Sequence, residues 1–355
     1  MSLRSLTVQG FRNLKDTELD FSEHFNFIIG DNGTGKTNIL EALFYIGLAS
    51  SFRAREDKVL IRFGESHFRV SAETENREAS VFYDGTCKKI TLQGNEMKRL
   101  SEFVGWLGIT MLSIEDLWIV RGAPSKRRSY LDWMIAKASP LYLDDLIEHR
   151  KLVRQRNRVL QTMHNNGNID LLDAYNERFI SISNAIYRER QRYLPMVKEH
   201  IKENGEELGL KRFTLEYQCT CRDMELDLDQ LDQVRDLEMQ LGHTRIGPHR
   251  DDLVFFINDH SLRSYASEGQ ERAAAISLKL AESRIIEQCT GTRPLLLLDE
   301  AGAELDNNKK NTLVSMLQGQ VFYASTTTPE IPEKQGKDSV VFYVKAGEIE
   351  KTASH

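Results

Sequence analysis

Residues 30–37 read Gly30-Asp31-Asn32-Gly33-Thr34-Gly35-Lys36-Thr37, which matches the phosphate-binding loop pattern G-x-x-x-x-G-K-[ST] at every fixed position. The apolar run 25–29 before it predicts a buried strand, and Ile39 and Leu43 after it begin a helical spacing. In this strand–loop–helix context, glycines turn backbone N–H groups toward phosphates at a helix N-terminus. The sequence therefore predicts a nucleotide-binding α/β fold.

The chemistry of this loop assigns roles to its last residues. Lys36 is expected to reach the β- and γ-phosphates of ATP, and the Thr37 hydroxyl is expected to ligate Mg²⁺. The candidate ATP-binding residues run from Gly30 through Asn38. A plain glycine turn before a helix is the alternative, and the lysine and the flanking elements disfavour it.

A second motif supplies carboxylates. Four leucines, residues 295–298, predict a buried strand that ends in Asp299 and Glu300. Ligands of open α/β sheets bind at the carboxyl ends of strands, so Asp299 is the expected Mg²⁺ ligand. Glu300 is the expected general base that polarises the attacking water, and Lys36, Asp299 and Glu300 form the predicted catalytic set. A strand ending in two acids is common, and the glycine loop is what favours the functional interpretation.

Two further segments resemble motifs of ABC-type ATPases. Ser267, Gly269 and Gln270 lie before a predicted helix and upstream of the leucine strand, in the order of the ABC signature loop. Asp306 follows that strand at the distance of the ABC D-loop. In that class the signature of one protomer covers the ATP bound by the other, so a two-fold dimer is implied. The alternative is an ordinary helix start with Ser267 as its N-cap.

The middle of the chain differs from its ends. Leu172, Phe179 and Ile186 belong to a helical periodicity, and Asn165–Asn168 separates it from an earlier one, which predicts a helical hairpin about 30–40 Å long. We expect an α/β ATPase head, residues 1–112 and 240–355, interrupted by a mainly helical arm, residues 113–239.

Composition limits the possible classes. The net charge of −6 argues against a wholly basic nucleic-acid binder, and the four cysteines lack a paired zinc spacing, so reduced thiols are expected. No apolar run is long enough for a membrane span and no secretory signal is evident, so we expect a cytoplasmic protein without a membrane partner. The arm helix nevertheless concentrates basic residues that either contact DNA or form a solvated face: Arg150, Lys151, Arg154, Arg156 and Arg158, preceded by Lys126, Arg127 and Arg128.

Segments along nearly the whole chain resemble the RecF family of ATPases, in the family's order. They are Phe11-Arg12-Asn13, Ser51-Phe52-Arg53, Glu115-Asp116-Leu117, 122–128, Leu131-Asp132, Gln155-Arg156-Asn157, Gly247-Pro248-His249-Arg250-Asp251-Asp252 and 278–282. The resemblance implies an ABC/SMC-type head, an ATP-dependent homodimer on double-stranded and gapped DNA, and cooperation with RecO and RecR in loading RecA. It also implies that Arg12 and Asn13 lie beside the nucleotide, with a sheet-edge role as the alternative, and that Arg53 lies near the phosphates.

The chain departs from its relatives in ways that bear on catalysis. Asp299-Glu300 replaces the two aspartates frequent in the family, and Ser325-Thr326-Thr327-Thr328 stands where many ABC ATPases have a histidine. No Q-loop glutamine is evident. We therefore expect weak, DNA-stimulated ATP hydrolysis. An ATP-gated structural switch for protein partners and a transporter-type ATPase subunit are the alternative functions.

Overall fold

A computed structural model describes residues 2–162, 169–300, 307–327 and 339–353. The strands are β1 (Leu3–Gln9), β2 (Thr17–Asp20), β3 (Phe25–Ile29), β4 (Phe68–Thr74), β5 (Glu78–Tyr83), β6 (Lys88–Leu92), β7 (Asn95–Glu96), β8 (Ile109–Ser113), β9 (Thr214–Gln218), β10 (Asp252–Ile257), β11 (His260–Ser261), β12 (Leu295–Asp299), β13 (Val321–Ser325), β14 (Val340–Lys345) and β15 (Glu348–Ala353). The helices are α1 (Lys36–Leu48), α2 (Leu100–Phe103), α3 (Leu117–Arg121), α4 (Pro124–Ala138), α5 (Pro140–Thr162), α6 (Ile169–Glu207), α7 (Leu228–Leu241), α8 (Leu262–Tyr265), α9 (Glu268–Thr290) and α10 (Asn307–Met316).

The chain divides into two compact units, Met1–Asp116 with Lys279–His355, and Leu117–Leu278. The sequence placed the boundaries at 112/113 and 239/240 instead. The second boundary differs because β10 pairs with β9, from Asp252 opposite Gln218 to Phe256 opposite Thr214. This antiparallel pairing groups the strand after Gly247 with the helical unit, and the predicted signature segment at Ser267 falls in that unit too.

The first unit contains two sheets. One is antiparallel, with strand order β2-β1-β4-β5-β6-β7, and includes a hairpin of β5 and β6 around the turn at Asp84 and Gly85. The other has the order β15-β14-β3-β13-β12-β8, and all its pairings are parallel except that between β14 and β15. Fully buried strands fit this parallel arrangement: every residue of 25–29 and 295–298 is buried, and all of them are apolar except Asn26. The predicted α/β fold is confirmed.

One buried core joins these sheets to α1. Ile39, Leu43 and Ile46 of α1 are each at most 1% exposed and belong to the same cluster as Ile28 of β3 and Leu297 of β12. Burial of apolar area at roughly 25 cal/mol per Å² makes this packing the main force that fixes the P-loop helix against the sheet.

The second unit is mainly helical, with the three-stranded sheet β11-β10-β9. The predicted helical hairpin is present as α5 and α6, but its second helix is longer than expected: 39 residues span about 58 Å at 1.5 Å each. The periodicity read from Leu172 to Ile186 continues beyond Pro195 through the buried Val197 and Ile201. Within the described ranges, no helix is both long enough and apolar enough to cross a bilayer.

Candidate nucleotide site

The phosphate-binding loop lies between the end of β3 and the start of α1, at the carboxyl edge of the parallel sheet. Gly35 precedes the helix with a φ of 120°, a backbone conformation that side chains rarely permit. A Cβ atom at Gly35 would also lie 3.0 Å from Oδ1 of Asn13. The glycine is therefore required by its backbone conformation, as expected for a loop whose N–H groups face a ligand.

Lys36 is buried inside its own loop. Its Nζ donates hydrogen bonds to the carbonyl oxygens of Gly30, at 2.8 Å, and Asp31, at 3.0 Å, and the residue is only 5% exposed. The ammonium group also lies 3.7 Å from a carboxylate oxygen of Glu300. A buried cation whose contacts, among the described residues, are two carbonyl oxygens and one carboxylate suits a site that accepts phosphate.

The two acids of the leucine strand lie opposite the loop. Asp299 ends β12, and its Oδ1 accepts a 3.1 Å hydrogen bond from the Thr37 hydroxyl. Glu300 follows with a φ of 51°, and its backbone N–H bonds the Ala324 carbonyl oxygen of β13. This left-handed turn brings the Glu300 side chain back toward Lys36. The structure thus brings together the four residues predicted for metal binding and catalysis.

Desolvation shifts the pKa of the Asp299 carboxyl. Burial raises the pKa of the Asp299 carboxyl, and the hydrogen bond from Thr37 opposes this shift. A desolvated carboxylate beside a hydroxyl oxygen is the type of hard oxygen donor pair that binds Mg²⁺. The residues therefore fit the predicted ion, with Thr37 and Asp299 as its protein ligands.

A chain of polar side chains borders the start of α1. The Asn38 amide donates to Asn13 Oδ1 at 2.7 Å, and Arg53 donates to Asn38 Oδ1 at 3.4 Å. The positive charge of Arg53 also lowers the pKa of Asp299, although burial has the larger effect. Asn13 and Arg53 therefore lie beside the start of α1, and their place next to the nucleotide and its phosphates stays a prediction.

Arg12 has a different set of contacts. Its guanidinium makes two 2.8 Å hydrogen bonds to the fully buried carboxylate of Glu41, which also accepts one from Ser51. Arg12 has a φ of 53° and donates to the Val59 carbonyl oxygen as well. These contacts anchor α1 to the antiparallel sheet, and a direct role of Arg12 at the nucleotide stays a prediction.

Sequence reasoning missed a backbone hydrogen bond that supports the P-loop. The β14–β15 turn donates from the Gly347 N–H to the Thr34 carbonyl oxygen at 2.9 Å, and the Gly347 carbonyl accepts from Lys15 N–H at 2.9 Å. A Cβ at Gly347, whose φ is 82°, would lie 2.0 Å from the Asn13 carbonyl oxygen. An Ala-Gly turn carries no chemical motif, and only the sheet order brings it to the loop.

A second missed feature adjoins Asp299. Ser113 ends the neighbouring strand β8 in register with Asp299, and its N–H and hydroxyl both donate to the Asp116 carboxylate. Burial raises the pKa of Asp116, and the charge of Lys279 opposes this shift. Glu115-Asp116 belonged to a family-like segment, but nothing in the sequence indicated that Asp116 bonds the residue paired with Asp299.

The predicted signature segment, in the second unit, forms a reciprocal helix cap. The Ser267 N–H donates to Gln270 Oε1 at 2.8 Å, and the Gln270 N–H donates to the Ser267 hydroxyl at 3.3 Å. These bonds satisfy two N–H groups at the start of α9, so Ser267 acts as a cap whatever else it does. Gly269 lies in the first turn of α9, whereas Asp306 and Thr328 lie outside the described residues.

The basic residues of the second unit fall into two groups. Arg150, Lys151, Arg154 and Arg158 are exposed on α5. Arg156 is 1% exposed and donates to Glu238, Asn176 and Thr244. Arg127 is 5% exposed and makes a bidentate pair with Asp252. The expectation that these two arginines join a basic surface was wrong, because both neutralise carboxylates inside the unit.

Comparisons with known proteins extend over the whole chain. A family model described as the RecF/RecN/SMC N-terminal domain matches residues 2–348. The DNA replication and repair protein RecF of Halalkalibacterium halodurans is 32% identical over 369 residues, covering 99% of this chain and 100% of that protein. RecF of Lysinibacillus sphaericus is 33% identical over 371 residues, with coverage of 99% and 100%.

A solved structure gives the same result. It is described as the recombination mediator protein RecF–ATP in the RecFOR pathway, and it covers 99% of this chain and 98% of its own. Its TM-score is 0.89 at 31% sequence identity. Since the family model, full-length relatives and a solved fold agree, the chain belongs to the RecF family of ABC/SMC-type ATPases.

Proposed function

We propose that the chain is an ATP-dependent DNA-binding clamp that dimerises on ATP, hydrolyses it weakly, and helps RecO and RecR load RecA at single-stranded gaps. The observation that carries the ATP part is the convergence of Lys36, Thr37, Asp299 and Glu300 at one edge of the parallel sheet. The relatives named as DNA replication and repair proteins support the DNA part.

In this proposal, each residue of the site has a separate role. The Lys36 ammonium would leave the carbonyls of Gly30 and Asp31 and bind the β- and γ-phosphates, which are stronger acceptors. Thr37 and Asp299 would hold Mg²⁺ through their oxygens. The ion, when bound, neutralises charge that develops on the phosphates.

Glu300 would act on water. Its carboxylate is 44% exposed and lies beside Lys36, so it can face both solvent and the γ-phosphate position. It would accept a proton as water attacks, and the left-handed backbone at Glu300 holds it in that direction. The absence of a histidine from Ser325–Thr327 in β13 and the turn after it supports slow turnover, because neither serine nor threonine can carry a positive charge.

DNA-dependent turnover tests the proposal against its main alternative. Phosphate release should be measured with ATP alone, with duplex DNA and with gapped DNA. A clamp should hydrolyse ATP severalfold faster with DNA than without it. Equal rates in all three conditions would favour a structural switch for protein partners and exclude DNA as the regulator. The helical hairpin of α5 and α6 favours the clamp over the transporter-type alternative, which would also require a membrane partner.

Dimerisation has its own test at Ser267. Ser267→Arg should block ATP-dependent dimers because it places charge and bulk in the signature segment, and Lys36→Met should block them by losing the phosphate contact. A mixture of the two variants should form heterodimers, since one composite site keeps both motifs in a two-fold arrangement. If Ser267 is only a cap, Ser267→Arg should lower monomer stability by about 1 kcal/mol and mixing should rescue nothing. Light scattering and monomer melting distinguish these results.

A further inference from the structure

Two cysteines of the second unit lie in a turn that the ATP site does not use. Cys219 and Cys221 follow β9, and Thr220 between them donates from its N–H and its hydroxyl to Asp251 Oδ1, each at 2.8 Å. The Gly247 N–H donates to the same threonine hydroxyl at 3.0 Å. Thr220 therefore fixes the turn, and with it the positions of both sulfur atoms.

The two thiols lie on the same side of this turn. The Cys221 N–H donates to Cys219 Sγ at 3.3 Å. Disulfides join Cα atoms about 4.4–6.8 Å apart, a range that residues two positions apart reach when the chain bends. The chain bends at Thr220 and Cys221, between the end of β9 and a short 3₁₀ turn at Arg222–Met224. The bend and the hydrogen bond from the Cys221 N–H place Cys219 Sγ against the backbone of Cys221.

The environments of the two sulfurs are unequal. Cys219 is half-buried, and the thiol and backbone N–H of Cys221 donate to its sulfur, which lowers the pKa of Cys219. Cys221 is buried, its sulfur lies 3.1 Å from the Tyr187 hydroxyl, and its neighbour Cys219 and burial raise its pKa. The accessible sulfur is thus the better thiolate, and the enclosed one stays a thiol beside it.

We propose that Cys219 and Cys221 form a reversible, hydroperoxide-sensitive dithiol, with Cys219 as the attacking sulfur and Cys221 as the resolving one. The proposal is independent of ATP binding. Of the described residues, no group of three or more histidine, cysteine and acidic side chains could hold a metal, which disfavours a zinc site at this turn.

The chemistry balances in two steps. The Cys219 thiolate attacks the terminal oxygen of a hydroperoxide, the O–O bond breaks, and the alkoxide takes a proton to leave as an alcohol, or as water from hydrogen peroxide. The Cys221 sulfur then attacks the Cys219 sulfenic acid, the S–O bond breaks, and the Cys221 proton leaves with the hydroxyl as water. Two thiols lose two electrons, and the hydroperoxide gains them.

Mass spectrometry on the full chain tests this assignment. Cys87→Ser with Cys289→Ser removes the other two cysteines and leaves this pair alone. Limited hydrogen peroxide should make this protein about 2 Da lighter, the mass of two hydrogen atoms, and a dithiol reductant should restore the original mass. Peptide mapping should place the bond between Cys219 and Cys221.

Single variants in the same background separate the two roles. Cys221→Ser keeps a hydroxyl beside Tyr187 and should stop at a Cys219 sulfenic acid, which dimedone captures. Cys219→Ser should leave Cys221 unmodified under the same exposure. An unchanged mass, irreversible gain of oxygen atoms without the 2 Da loss, or a disulfide between two chains would each overturn the proposal. The first measurement needs no change at the pair, so a misfolded variant cannot decide the outcome.

Discussion

Thr37 and Asp299 are 262 positions apart in sequence and are joined by a 3.1 Å hydrogen bond from hydroxyl to carboxylate. The bond links the first turn of the P-loop helix to the end of the leucine strand. It positions together the two protein ligands expected for Mg²⁺. Such preorganisation reduces the ordering that binding must otherwise accomplish.

Lys36→Met should weaken ATP binding while leaving the fold intact. Charge-assisted hydrogen bonds contribute about 1.5–3 kcal/mol each, so loss of the phosphate contact should lower affinity by about 10- to 100-fold. Titration calorimetry measures the affinity, and thermal melting checks the fold. Lys58→Met, at an exposed lysine of the same unit, is the matched control and should bind ATP as the parent does. Equal affinity in the two variants would remove Lys36 from the site.

Glu300→Gln should retain ATP binding and lose hydrolysis. The amide cannot accept the proton of the attacking water, and a positioned general base contributes on the order of 10²–10⁴-fold. Single-turnover phosphate release should fall by at least about 100-fold, and the ATP-bound dimer should persist for longer. Turnover equal to that of the parent would mean that another group accepts the proton.

Arg150, Arg154 and Arg158 are the exposed arginines of α5 and the candidate phosphate contacts. If each one neutralises a DNA phosphate, their joint replacement by alanine should reduce the slope of log affinity against log salt by about 0.9 per contact. Affinities for duplex DNA at several salt concentrations give this slope.

The control for the arginine variant carries the same change in charge. Lys198, Lys202 and Lys211 are exposed lysines of the same unit, and their replacement by alanine should leave the slope unchanged. A slope reduced equally in both variants would indicate a general charge effect, and a slope unchanged in the arginine variant would place DNA elsewhere.

His149 should make the second unit sensitive to acid. The residue is 2% exposed, its ring stacks on Phe179 and lies 5.3 Å from that of His249, and burial with the nearby charges of Arg190 and Arg150 lowers its pKa to about 3. The folded pKa lies below the unfolded value of about 6.5. The stabilising contribution of the neutral His149 ring is therefore complete above pH 6.5 and is lost as pH falls toward 3.

Between pH 7 and pH 5, the free energy of unfolding should fall by about 2 kcal/mol because of His149. Urea unfolding of the parent and of His149→Gln at both pH values measures it, because other titrating groups are common to the two proteins. The variant should lose less stability on acidification than the parent. An identical loss in both would show that His149 does not stay neutral in the fold.

The nucleotide site was largely predictable because its chemistry is written in short motifs. A lysine after two glycines and two acids after four leucines each need little context, and the structure brings them together as expected. Contacts that depend on strand order could not be predicted. Gly347 reaches Thr34 only because β14 pairs with β3, and Ser113 adjoins Asp299 only because β8 pairs with β12.

The local pattern of charges gave a wrong prediction for Arg156, for a related reason. Arg156 lies within two residues of Arg154 and Arg158. Its side chain is buried and pairs with Glu238, whereas the other two arginines are exposed. A buried carboxylate on another helix decides which arginine is enclosed. The sequence contained both partners, but their pairing depends on how α7 packs on α5, which no local pattern specifies.

The position of β3 in its sheet has a consequence for how the protein is made. Its two neighbours are β13, residues 321–325, and β14, residues 340–345. The antiparallel sheet, by contrast, uses only residues 3–96 and can pair as soon as they leave the ribosome. The P-loop strand β3 cannot pair with these neighbours until about three hundred further residues have been synthesised. At about 5–20 residues per second, this takes about 15–60 seconds. During synthesis, the nascent chain therefore cannot complete its nucleotide site until β13 and β14 have been made, and ATP can engage the complete site only after that point.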